Sequence, residues 1–215
     1  YFLRAIEEGS SLAARNLADL LIEGDEKSGI KPDFQQGMKY LKFASDNDDV
    51  YSIYQFSKNI AMKESNDEEL AEMEKSLQKG VHLKDVDVIT LFANILSRDT
   101  ILPQDKVKAA RYYKMSADLG NCYGYFYGMN MYADCLSSGF GVEKNRNEAL
   151  KYYKMSADIG NQEGMVKYAS LLSKGESGSF DEKEVIKYYK MALEIGENEG
   201  IDLTEAKKYI TMVSQ

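Results

Sequence analysis

The chain has 215 residues, 44% of them apolar and 29% charged, with a net charge of −8 and an isoelectric point near 4.9. That is the composition of a folded protein with enough apolar material for a core, and its acidic balance without any basic run excludes binding driven by nucleic-acid phosphates. No uninterrupted apolar stretch approaches the ~20 residues that a membrane-spanning helix needs, so membrane insertion is excluded as well. With two prolines, no tryptophan and abundant Leu, Ala, Glu and Lys, the residues favour helices, since Pro, Gly and β-branched side chains are the costly ones there.

In chain order, the first complete helix is predicted over 11–23. Its segment, Ser10–Gly24, aligns without gaps with Asn161–Gly175. Both carry small residues at Ala13 and Gly164 and at Ala18 and Ala169, large apolar ones at Leu17 and Tyr168, and then Leu20–Leu21 and Leu171–Leu172. These positions share one face of a 3.6-residue helix, and the small ones admit a close neighbour. Helices of this type, designated A, are expected near 11–23, 50–63, 84–98, 122–138 and 161–174. A second type, B, is expected near 34–47, 67–79, 104–119, 145–159 and 181–195, and a last helix near 198–213.

The B helices carry the clearest internal repeat. Arg111–Asn121 reads RYYKMSADLGN, Lys151–Asn161 reads KYYKMSADIGN and Lys187–Glu197 reads KYYKMALEIGE, with a weaker copy at Lys39–Asp48. Degenerate copies end at Gly9 and Gly80. Taking Gly9, Asp48, Gly80, Gly120, Gly160 and Gly196 as closing positions gives intervals of 39, 32, 40, 40 and 36 residues. About four extra residues, one helical turn, then fall in or before the A helices near 84–98 and 122–138. Glycine at the end of a helix is the expected stop, because it enters the left-handed conformation cheaply. Asn121 and Asn161, directly after such a glycine, suit the first turn of the next helix. Neither helix of a unit can bury its apolar face alone, so the units must stack. The expected architecture is an all-α solenoid, a right-handed α–α superhelix of about five helix–turn–helix units, spanning 10–48, 49–80, 81–120, 121–160 and 161–196 with a terminal helix in 197–215. The chain starts at Tyr1, without methionine and inside a helix, and is expected to be part of a longer protein.

Catalytic and metal chemistry find little support. The single histidine, His82, follows Gly80 and is expected in a surface turn. Cys122 and Cys135 lie 13 residues apart on one predicted helix, about 20 Å along its axis, too far to bridge each other, and neither has partners at zinc-ligand spacing. With no glycosylation sequon, a reducing, cytoplasmic setting is expected. Asp46–Asp49 lacks the pattern of a calcium loop and suits helix capping, and Gly139–Gly141 reads as a turn rather than a phosphate loop. Met115, Met155 and Met191 occupy equivalent positions and are expected to pack. Of each tyrosine pair at 112–113, 152–153 and 188–189, one is assigned to the core and one to its edge. The aromatic run Tyr123–Tyr132 occurs in no other unit; it is either an extended A helix packing on its neighbour near 84–98 or an aromatic binding patch. No enzyme activity, cofactor or metal is expected.

The string GFGVEKNRNEALKYYKMSADIGN, Gly139–Asn161, resembles the Sel1-like repeat, a relative of the tetratricopeptide repeat, and the likeness extends over nearly the whole chain. The resemblance implies an adaptor that gathers other proteins, with helix A lining a concave face that grips a peptide segment or a partner helix. On that model the contact positions are Arg15, Asn16, Asp19, Tyr54, Gln55, Lys58, Asn94, Arg98, Asn130, Met131, Asp134, Lys167, Ser170 and Lys174, with Tyr125 added from the aromatic run. A structural spacer or assembly element binding along its edge is the alternative. Neither nucleic acid nor membrane is an expected partner, and the oligomeric state is open.

Overall fold

A computed structural model describes residues 1–25, 29–119, 126–175, 180–196, 198 and 200–215. Among them the chain is all-α, with a single isolated bridge between Asp25 and Ile30. It forms two compact units, 1–104 and 105–215. In the first, α1 (Phe2–Glu7), α2 (Ser11–Glu23), α3 (Phe34–Asp46), α4 (Val50–Ala61), α5 (Asp67–His82) and α6 (Val86–Ser97) each pack on the helix before. In the second, α7 (Lys106–Leu119), α8 (Phe126–Ser138), α9 (Arg146–Asp158), α10 (Gln162–Ser173), α11 (Glu182–Ile195) and α12 (Thr204–Val213) follow, each from α8 onward packing on the helix before. A helices also touch A helices, α4 with α6, α8 with α10 and α10 with α12, which is the layering of stacked helical hairpins. The eleven expected helices are present, but the last begins at Thr204, six residues later than expected, and the expected start of the helix near 122–138 lies outside the described residues; α1 supplies the half-helix at the start.

Among the described residues, four joints between repeats are built in the same way. The closing residue donates its N–H three residues back, and the next N–H reaches five residues back. These pairs are Gly9 to Ile6 and Ser10 to Ala5, Asp48 to Ser45 and Asp49 to Ala44, Lys84 to Val81 and Asp85 to Gly80, and Gly160 to Ala157 and Asn161 to Ser156. This arrangement satisfies carbonyls that a helix end would otherwise leave bare. The residue making the second bond then caps the following helix: Ser10, Asp49, Asp85 and Asn161 accept from the N–H groups of Ala13, Ser52, Val88 and Gly164. Asp46–Asp49 is accordingly a capping run, as its composition suggested.

One expected stop is corrected. Gly80 lies inside α5, buried, and the helix continues to His82. Its closing residue is Lys84, which takes the left-handed conformation at φ +58, as Asp48 does at φ +64. Counted from there, residues 48 to 84 and 84 to 120 are each separated by 36 positions instead of 32 and 40. The extra turn ahead of α6 therefore disappears. Gly120, Asn121 and the rest of 120–125 lie outside the described residues. His82 is the exposed last residue of α5, not part of a turn.

Small residues set the distance between consecutive helices. A Cβ on Gly80 would meet the Val88 side chain at 2.3 Å, one on Gly128 would meet Ser116 at 2.3 Å, and one on Gly164 would meet Ser156 at 2.5 Å. The core follows the expected stripes, with Ala13, Ala18, Tyr168, Ala169, Leu171 and Leu172 buried and Leu17, Leu20 and Leu21 half-buried. Two packing expectations change. Tyr112 and Tyr113 are both buried, as are Tyr188 and Tyr189; only the pair Tyr152 and Tyr153 divides between edge and core. The repeated methionines are peripheral, with Met115 and Met191 half-buried and Met155 exposed.

Candidate functional site

Several of the expected contact positions hold one repeat to the next. In the first unit Arg15 of α2 pairs with Asp49 at 3.3 Å and lies 5.3 Å from the centre of the Tyr51 ring. Asp19 accepts from the Tyr51 hydroxyl at 3.4 Å. Its carboxyl is raised above the usual range, first by burial and then by the charge of Glu23. Tyr54 and Gln55 are half-buried, with Lys58 5.9 Å from the Tyr54 ring. Asn94 is half-buried, while Asn16, Lys58 and Arg98 are exposed.

The second unit has the more developed site. Asn130 of α8 is fully buried, and its amide donates to Asn161 Oδ1 at 3.0 Å and Glu163 Oε2 at 3.3 Å. This corrects its assignment as a contact residue, since no part of it reaches the surface. Asp134 is the hub. It accepts from the buried Tyr153 hydroxyl and from Lys167 Nζ at 2.7 Å, and Lys167 reaches Glu163 at 2.8 Å on its other side. Burial alone would lower the Lys167 pKa, but the hydrogen bonds and charges of Asp134 and Glu163 outweigh it and raise it. Burial, reinforced by Asp134, pushes the Tyr153 hydroxyl far above its ordinary value. The neighbouring Cys135 is a free, buried thiol raised to about 11, first by burial and then by Asp134. A thiol held protonated in this way is a poor nucleophile at neutral pH.

Around this hub lies a cavity of about 420 Å³ bounded by α8, α10 and the start of α12. Asp134, Lys167, Ser170 and Lys174 line it, together with Ser137, Val166, Leu171, Ile201 and Glu205. Met131 is half-buried and stands outside that lining. Sequence reasoning missed Tyr153 and the α12 residues. The helical period marks which side of an A helix is free, but it does not reveal that the loop before α12 forms the third wall. Tyr125 lies outside the described residues, as does Cys122. From Phe126 onward the aromatic run divides: Tyr132 is buried edge-on against Tyr152 at 4.9 Å, and Tyr127 is exposed.

A second surface feature follows the joints. Leu119, Ile159 and Ile195, each one residue before a closing glycine, stay exposed, as does Leu83 before Lys84 in the first unit. In the second unit Ile159 and Ile195 line a hollow of about 330 Å³ with Phe126, Gln162 and Ile201.

Among the described residues no group of His, Cys, Asp and Glu has metal-binding geometry, and no helix is long and apolar enough to cross a membrane. The Sel1 repeat model matches residues 11–49, 96–121 and 126–161. No curated protein matches the chain. Among solved structures, a protective antigen of uropathogenic Escherichia coli displaying an SLR fold superposes with a TM-score of 0.80 at 21% identity. The match covers 99% of this chain and 43% of that one, so the chain spans less than half of that protein's length. A Sel1 repeat protein from Oxalobacter formigenes matches at a TM-score of 0.66 and 18% identity, covering 95% of this chain and 87% of its own. An immunity protein of Pseudomonas aeruginosa matches at 0.50 and 21%, covering 90% and 72% respectively. At these identities the likeness is one of fold.

Proposed function

The chain is a Sel1-like repeat protein, and from that premise we propose that it acts as a non-catalytic scaffold or adaptor, gripping a segment of another protein in the groove of its A helices. Repeats of this family generally mediate protein–protein interaction. The observation that carries the reading is the cavity between α8, α10 and α12, where Asp134, Lys167, Ser170 and Lys174 meet apolar Val166, Leu171 and Ile201. A few fixed polar groups set among apolar walls are what a specific binding site requires. The exposed position of His82 at the end of α5 and the raised pKa of Cys135 both favour a non-catalytic role. The free thiol of Cys135 suits a reducing, cytoplasmic setting,.

The test is a pull-down from lysate comparing the parent chain with a Ser137→Arg variant of equal helicity. A protein retained by the parent and lost by the variant supports the groove; identical retention by both removes it. A second reading, an assembly element that binds along its edge, is favoured by the exposed aliphatic residues Leu119, Ile159 and Ile195. An Ile159→Glu, Ile195→Glu variant that loses the partner while the groove variant keeps it would establish that reading instead.

A further inference from the structure

We infer that the groove of the second unit receives a lysine or arginine side chain from an extended, basic segment of the partner protein. The inference rests on the groove reading above and adds the chemistry of the occupant. Four carboxylates line the cavity, from Asp134, Glu163, Asp202 and Glu205, against two ammonium groups, from Lys167 and Lys174. Lys167 is not available to an incoming anion, because Asp134 and Glu163 already hold it at 2.7 and 2.8 Å. That trio keeps one net negative charge, and the rest of the lining adds another.

Shape agrees with charge. Val166, Leu171 and Ile201 offer an aliphatic wall, which matches the methylene stem of a lysine or arginine whose charged head reaches the carboxylates. Ser137 in the last turn of α8 and Lys174 at the end of α10 place two helix C-termini at the cavity, and their partial negative charge favours a cation. An acidic or phosphorylated segment would face the same four carboxylates with only Lys174 to receive it.

The experiment pans a display library of random twelve-residue peptides on the intact chain. The enriched sequences are then synthesised, and their binding is measured by fluorescence anisotropy. Enriched peptides should carry lysine or arginine beside aliphatic residues. Replacing the basic residue with glutamine, or introducing Glu205→Lys in the protein, should weaken binding about tenfold, as for a lost charge pair in a docking site. Lys174→Glu should strengthen it. Enriched peptides that are acidic or uncharged, yet blocked by Ser137→Arg, would overturn the basic-segment inference and leave the groove standing. Peptides indifferent to Ser137→Arg, or no enrichment at all, would remove the groove and this inference with it. Circular dichroism of each variant keeps loss of fold distinct from loss of binding.

Discussion

Gly80 in α5 faces Val88 in α6, and in the other unit Ser156 in α9 faces Gly164 in α10 with the sizes exchanged. At these two joints one helix supplies the side chain and the other a glycine. The Cβ of Gly80→Ala would fall 2.3 Å from Val88 Cγ1 and 2.8 Å from Val88 Cβ. A Cβ cannot rotate away, so helices must part, at a cost of about 1–3 kcal/mol. Alanine's better helix propensity opposes this by only ~1 kcal/mol. The expected result is net destabilisation in urea unfolding, partly recovered by adding Val88→Ala, with the coupling read from a double-mutant cycle. A neutral or stabilising Gly80→Ala would mean that the joint is not tight. Lys84 makes the opposite case. A lysine at φ +58 bears strain that glycine lacks,, so Lys84→Gly should stabilise by up to about 1 kcal/mol. Asp48→Gly should gain less, because aspartate tolerates the left-handed region better. Thermal denaturation of the two variants gives the order directly.

Between elements, the repeated string KYYKMSAD is a device for joining one repeat to the next. Lys114 pairs with Asp118 at 2.6 Å, and the Tyr152 hydroxyl of the following repeat donates to Asp118 at 3.2 Å. One repeat later, Tyr188 donates to Asp158 and Lys154 pairs with Glu184 while lying 5.2 Å from the Tyr168 ring. The first unit keeps the lysine, Lys42 with Glu72 at 2.7 Å, but sets it 6.0 Å from Phe56 instead of a tyrosine. Helix type and order were legible from the sequence because the apolar stripes repeat, whereas the burial of both tyrosines at 188–189 was not. A tyrosine can be buried when its hydroxyl finds an acceptor, and that acceptor belongs to a repeat 30 residues earlier. Lys84 stayed hidden for a related reason: glycine is the preferred closing residue, and a stop made by lysine carries no signature. The clamp also makes alkaline stability measurable. Burial, then Asp158, pushes the Tyr188 hydroxyl up to about 12 from 10.0. The folded state therefore holds this proton more tightly, and the associated stability is complete below pH 10 and is lost as pH rises through 12. Lys154 is shifted in the same direction by its hydrogen bond to Glu184. Between pH 10 and 12 the urea midpoint of Tyr188→Phe should fall less steeply than that of the parent; equal slopes would remove Tyr188 from the linkage.

Across the whole molecule, binding at a polar groove and binding at an apolar edge respond oppositely to salt. Asp134, Lys167, Ser170 and Lys174 line one cavity, and their common side follows from the helical period. The period says nothing of Asn130, whose burial depends on Asn161 and Glu163 in another helix, nor of the wall supplied ahead of α12. A partner docking in the groove would meet an acidic lining on a chain of net charge −8, and a basic segment would be drawn to it over about a Debye length, ~8 Å at physiological ionic strength. At 1 M NaCl that length shrinks to about 3 Å, so a partner seated by charge should associate more slowly and be largely eluted. A partner seated on Leu119, Ile159 and Ile195 buries aliphatic surface, and sulfate, which strengthens apolar association, should hold it more firmly. Washing the captured partner with NaCl and, separately, with ammonium sulfate of equal ionic strength therefore assigns it to one face. Release by both salts is expected for the groove; retention that increases in sulfate would place the partner on the edge and count against the basic-segment reading.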